Sequence, residues 1–175
     1  HYTVWKKIRD EALPDIPKYF KSPITSTGIQ ATEIYTFGEA LSATIEGEVV
    51  RTLNDIREVW DPERKYNEYM FVRQPQAFPD VLFQNISTVE VIIGIELKSW
   101  YLLAKEGEPS YRFTATPAAC AEQDLLVVVP WTLSGVLSGT PIIYIPFIEA
   151  ARYISERKNN WWQREKRAKT NRRIV

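Results

Sequence analysis

The chain has 175 residues with 22 cationic and 22 anionic side chains, so its formal net charge is zero. That length suits one domain with a sizeable core, and the balanced charge excludes a uniformly basic, histone-like coat. No apolar run approaches the roughly 20 residues that span a bilayer, and the first residues lack the apolar core of a signal peptide. The single cysteine, Cys120, excludes an intramolecular disulfide. We therefore expect one cytoplasmic domain over residues 1–175.

The first third of the chain predicts one long helix. Residues 1–32 contain Pro14, Pro17 and Pro23, which indicate irregular packing. From Phe37 to Trp60 the pattern is helical, because apolar positions recur every three or four residues and Asp61-Pro62 ends the run. The positions on this face are Leu41, Ile45, Val49, Thr52, Leu53, Ile56 and Trp60.

The remainder alternates strands with two helices. Strands are predicted over 66–73, 79–83, 89–100, 125–129 and 142–146, and the run from Val89 to Leu97 is typical of a strand buried on both faces. A short helix is predicted from Thr116-Pro117 through Gln123. A long helix is predicted over 147–169, with Ile148, Ala151, Ile154 and Trp161 inward. The order α-β-β-β-α-β-β-α predicts an α+β fold with a mixed sheet flanked by helices.

Two apolar strand segments contain charged residues, and an unpaired charge there would be costly. Asp80 follows Pro79 at the head of one strand, and Glu96-Leu97-Lys98 lies in the next. Glu96 and Lys98 are two residues apart and share a strand face, on which Asp80 can converge. Adjacent carboxylates favour a divalent cation, and oxygen ligands without a His or Cys cluster favour Mg²⁺ over Zn²⁺. Lys98 would then orient or deprotonate the attacking water, or steady a charged phosphate.

A structural alternative remains open at the same residues. Glu96 and Lys98 could form a buried ion pair beside an N-capping Asp80. Buried pairs contribute little stability, so they usually need another reason to persist.

Pro79-Asp80, fifteen intervening residues and then Glu96-Leu97-Lys98 resemble the motif of the PD-(D/E)XK nuclease superfamily. The order of elements resembles its αβββαβ core, here at 37–150 with a basic C-terminal helix at 147–175. Residues 76–131 are most similar to a type II restriction endonuclease. The resemblance implies Mg²⁺-dependent hydrolysis of double-stranded DNA (Mn²⁺ substituting), leaving 5′-phosphate ends. It also implies a homodimer, a cognate DNA methyltransferase in the same system, and Asp80, Glu96 and Leu97 as metal ligands.

Such nucleases often carry a further acid on the helix before the motif, and Glu46 and Glu48 are the candidates. Glu46 is preferred as a catalytic residue because Val49, Val50 and Leu53 follow it at helical spacing; alternatively, both acids face solvent. Loops beside the site usually supply the DNA contacts. The residues predicted to make them are Arg73, Gln76, Lys105 and Arg112.

The chain's end is basic, with eight Lys/Arg and one acid over residues 157–175. This segment either contacts phosphates or is a solvated helix end. Two rival functions also remain open: a nuclease of the same chemistry acting in repair, in transposition or on branched structures, and a non-catalytic DNA-binding domain.

Overall fold

The computed structural model describes residues 1–30, 32–74, 77–103, 116–135 and 137–171. Its helices are α1 (Tyr2–Lys7), a π-helical segment (Ile8–Ala12), α2 (Leu13–Tyr19), α3 (Ile34–Asp55), α4 (Arg57–Trp60), a 3-10 turn (Pro117–Ala119) and α5 (Ala151–Asn171). Its strands are β1 (Tyr69–Arg73), β2 (Val81–Asn85), β3 (Val91–Tyr101), β4 (Leu125–Gly135), β5 (Ser138–Ile143) and β6 (Phe147–Ala150).

These strands form one mixed sheet, which confirms the predicted α+β class. β1, β2 and β3 are antiparallel neighbours, whereas β3 and β4 run parallel. On the other side of β4, β5 pairs with its second half and β6 with its first half, both antiparallel. The predicted burial is confirmed for residues 92–97 of β3 and 125–129 of β4, but Val89 and Val91, at the start of the predicted run, are exposed.

The long predicted helix exists, but it breaks at Ile56 into α3 and α4. Its apolar stripe packs on the sheet, and the Trp60 ring meets Phe71 and Phe83 edge-on. Asn54 completes the attachment, since its side chain donates to the carbonyl of Phe71 and accepts from its N–H, both at 2.9 Å. The open edge of β1 is thereby covered by the helix rather than left to solvent.

Asp61 ends this helical region by holding the chain in a turn. Its buried carboxylate accepts the N–H groups of Lys65 and Tyr66, both at 2.8 Å. Such a side-chain to backbone contact competes with the helical hydrogen bond and so stops the helix.

The prediction for the last helix was wrong at its start. Phe147–Ala150 pairs with β4 as β6, and the helix begins at Ala151. The first half of β4 needs a partner on the side away from β3, and Pro146 separates the short strand that supplies it from β5. Trp161, predicted inward, is 61% exposed, since the described buried positions of α5, Ala151 and Ser155, lie in its first two turns and Trp161 lies beyond them.

Three smaller predictions also differ from the structure. The helix expected through Gln123 is a 3-10 turn over Pro117–Ala119, because the Asp124 carboxylate accepts the Ala121 N–H in a local turn. The strand expected at 142–146 is β5, which lies earlier in the chain. The proline-containing start is helical through Tyr19: Pro14 occupies a first-turn position of α2, where its missing N–H costs little, and Pro17 lies inside this short helix. Across the described parts of the chain, no helix is long and apolar enough to cross a membrane.

Candidate active site

The candidate site lies where β3 extends past the end of β2. The last residue pair between these strands joins Val81 to Ile95, so the N–H groups of Leu97 and Ser99 face a position where β2 offers no partner. Asp80 accepts the first at 3.2 Å through Oδ2, and Glu46 of α3 accepts the second at 3.1 Å through Oε1. Two acids distant in sequence are thus brought to one strand edge.

Lys98 brings the predicted acids together. Its Nζ lies 2.9 Å from Asp80 Oδ2 and 2.6 Å from Glu96 Oε1. The Glu96 side chain is 8% exposed, whereas those of Lys98 and Asp80 are 28% and 31% exposed. Asp80, Glu96 and Lys98 therefore form one connected cluster that solvent reaches from the Asp80 side.

Burial sets the electrostatics of this cluster. Desolvation raises the pKa of Glu96, and the hydrogen bond and charge of Lys98 only partly oppose it. Desolvation likewise raises the pKa of Glu46. The hydrogen bond from the Ser99 N–H lowers this pKa, but by less than desolvation raises it. For Lys98 burial alone would lower the pKa, but the two carboxylates outweigh it and the net shift is upward. Lys98 is accordingly a stable cation at neutral pH.

The two candidate helix acids have separate surroundings. Glu46 lies at the site and its Oε2 is 3.8 Å from the Arg73 guanidinium, whose Nη1 also donates to the Ala43 carbonyl. Glu48 is buried elsewhere and pairs with Arg51 at 3.0 Å. The preference for Glu46 thus agrees with where the helix places it.

Behind the cluster, Asp124 buttresses the strand that carries it. The buried Asp124 carboxylate accepts the Gly94 N–H at 3.0 Å and the Ala121 N–H at 2.8 Å. Pro79 packs so closely on Gly94 that a β-carbon there would lie 2.4 Å from Pro79 Cγ. The role of Asp124 was not predicted from the sequence, although an acid directly before the apolar run 125–129 was a signal that could have indicated it.

The donor set fits an oxygen-liganded cation. Asp80 and Glu96 supply carboxylates, and the Leu97 carbonyl lies on the same strand edge as its N–H, which Asp80 accepts. The carboxylates of Glu46, Asp80 and Glu96 face the two cations Lys98 and Arg73, which leaves one negative charge in excess when all are ionised. In the described ranges, no group of three or more His, Cys, Asp or Glu side chains gathers as a metal site. A cation bound here would therefore be coordinated by the carboxylates of Asp80 and Glu96 and by the Leu97 carbonyl.

Of the predicted DNA contacts, Arg73 lies beside this cluster, with its side chain 43% exposed. Gln76, Lys105 and Arg112 lie outside the described residues. The chain matches no protein-family model, no curated protein and no solved structure.

Proposed function

We propose that this protein is a Mg²⁺-dependent endonuclease that hydrolyses DNA phosphodiester bonds, with Asp80, Glu96 and Lys98 as its active site. The observation that carries the proposal is the convergence of two carboxylates on the Lys98 ammonium, at a strand edge that solvent reaches from the Asp80 side. A buried pair serving stability alone would not need the third, solvent-reachable acid.

Asp80, Glu96 and the Leu97 carbonyl would hold the metal. When bound, Mg²⁺ supplies Lewis-acid polarisation of the phosphate and a more acidic water. Beside Asp80 and Glu96 the pKa of Lys98 is raised, and as a cation Lys98 would stabilise negative charge on the phosphate. Glu46 positions the end of β3 through the Ser99 N–H, and Arg73 neutralises Glu46 in turn.

The finer proposal is a restriction-endonuclease-like αβββαβ core in a sequence-specific type II restriction enzyme. It would act as a homodimer on duplex DNA, leave 5′-phosphate ends and work with a cognate DNA methyltransferase. The β1–β2–β3 meander preceded by α3 and followed by parallel β4 supports this core, whereas the position of its second helix holds, among the described residues, the 3-10 turn Pro117–Ala119.

One observation favours a non-catalytic domain instead: Asp80 and Glu46 satisfy strand N–H groups, which is a structural task. Incubation of plasmid DNA with the protein in Mg²⁺, against EDTA, separates the possibilities. We expect Mg²⁺-dependent, discrete linear fragments carrying 5′-phosphates. Nicks or a preference for branched substrates would favour a repair or structure-specific nuclease, and absence of any metal-dependent cleavage would contradict nuclease function.

A further inference from the structure

The charge of this neutral chain is sharply divided along its length. Residues 1–150 carry 13 cations and 20 anions, a net charge of −7, whereas residues 151–175 carry 9 cations and 2 anions, a net charge of +7. The positive part begins with α5. An anionic polymer would therefore be attracted most strongly to α5.

α5 also presents aromatic rings among its cations. Tyr153, Arg157, Trp161 and Arg164 recur at spacings of four, four and three residues, which places them on one side of the helix. Tyr153 is 45% and Trp161 61% exposed, and both arginines are exposed. The Arg157 guanidinium lies 5.4 Å from the centre of the Tyr153 ring. We name these four residues the aromatic–basic stripe.

Solvation accounts for the exposed charges of the stripe but gains nothing from its exposed aromatic rings. Attraction to the acidic residues of the rest of the protein does not explain the stripe either, since Arg157 and Arg164 are exposed to solvent. Near the start of the helix, Arg152 does turn inward, to the Cys120 carbonyl and to Glu122. The stripe is thus presented outward, beyond the anchored first turn of α5.

We propose that the aromatic–basic stripe binds single-stranded nucleic acid. Phosphates meet the arginines, and unpaired bases stack on the rings of Tyr153 and Trp161, a combination that is tolerant of sequence. In a duplex the base faces are already stacked and closed to such rings. The proposal goes beyond the proposed cleavage activity and does not rest on it.

Fluorescence anisotropy of the full chain with a labelled 15-nucleotide oligothymidine, in EDTA, tests the proposal without cleavage. We expect tighter binding to the single strand than to a 15-base-pair duplex. Tyr153→Ala and Trp161→Ala should each weaken single-strand binding about 5-fold or more. Trp161→Phe keeps a ring and should retain most of the affinity. Arg157→Gln with Arg164→Gln should flatten the log–log salt dependence by about 1.4, because each lost phosphate contact removes about 0.7.

Matched controls come from the other end of the chain. Tyr19→Ala removes a ring that is 48% exposed, and Lys21→Gln removes an exposed cation; both should leave binding within about 2-fold of wild type. Far-ultraviolet circular dichroism of every variant checks that the total helix content is unchanged.

Three results would overturn the proposal. One is equal or tighter binding to the duplex with no effect of the aromatic variants. Another is binding to phosphatidylserine vesicles without binding to oligothymidine. The third is salt-sensitive dimerisation in sedimentation velocity that the double arginine variant abolishes, again without oligonucleotide binding. A protein that fails to cleave DNA but passes the binding test would refute only the nuclease.

Discussion

Gly94→Ala tests whether Pro79 and Asp124 pack as closely on Gly94, behind the candidate site, as the structure shows. A β-carbon at Gly94 would lie 2.4 Å from Pro79 Cγ and 2.6 Å from Asp124 Oδ1, whereas real β-carbons essentially never approach closer than 3.0 Å. Pro79 and Asp124 must therefore move by roughly half an ångström or more. Overpacking of this kind costs about 1–3 kcal/mol, and disturbing the buried Asp124 hydrogen bonds adds to it.

We expect the free energy of unfolding to fall by about 2–4 kcal/mol in urea titration, and Tm to fall by about 5–15 °C for a chain of this length. Because Pro79 precedes Asp80, the displacement should also separate Asp80 from Lys98 and impair any metal-dependent activity. Gly47→Ala is the matched control, since its nearest neighbour would be Arg73 Nη1 at 3.4 Å. In a helix interior this exchange should stabilise by about 0.5–1 kcal/mol. Equal stability of wild type and Gly94→Ala would refute the close approach.

Two further predictions concern stability. Lys98→Met removes the cation beside Glu96, so the desolvation that raises the pKa of Glu96 is less opposed and this pKa rises further. The variant should lose about 1–3 kcal/mol of unfolding free energy at pH 7.5, because the buried Glu96 carboxylate is left without its partner. An acid whose folded pKa is raised binds its proton more readily when folded, so its stabilising effect is present at low pH and lost as pH rises through that pKa. The loss should therefore shrink at pH 5 in urea titrations, and a pH-independent loss would contradict the account. Asn54→Ala removes both hydrogen bonds to Phe71 and should lower the free energy of unfolding by about 1–3 kcal/mol. The control Asn67→Ala changes an exposed residue and should lower it by less than about 0.5 kcal/mol. Equal effects of the two changes would show that Asn54 does not anchor β1.

The sequence predicted the features that depend on local pattern. The stripe from Ile45 to Trp60 has helical spacing, and the apolar runs of β3 and β4 are too continuous for an exposed strand. The shared face of Glu96 and Lys98 follows from the period of a strand and needs no tertiary information.

The predictions that were wrong, and the roles that were not predicted, depend on contacts between residues distant in sequence. Phe147–Ala150 resembles the start of a helix until the unpaired edge of β4 is considered, and that edge is visible only in the sheet. The role of Asp124 was not predicted, because it depends on a Gly94 N–H that remains unpaired before β4 begins at Leu125. The spacing of residues in one sequence does not indicate which backbone groups remain unpaired in the folded sheet.

Cleavage by Lys98→Ala tests the central claim most directly. Single-turnover cleavage of plasmid DNA in Mg²⁺ is compared for wild type, Lys98→Ala and Glu48→Gln, which changes a buried acid away from the site. We predict that Lys98→Ala is at least about 100-fold slower, while circular dichroism shows the fold retained and Glu48→Gln cleaves at nearly the wild-type rate. Undiminished cleavage by Lys98→Ala would contradict the assignment of Asp80, Glu96 and Lys98 as the active site.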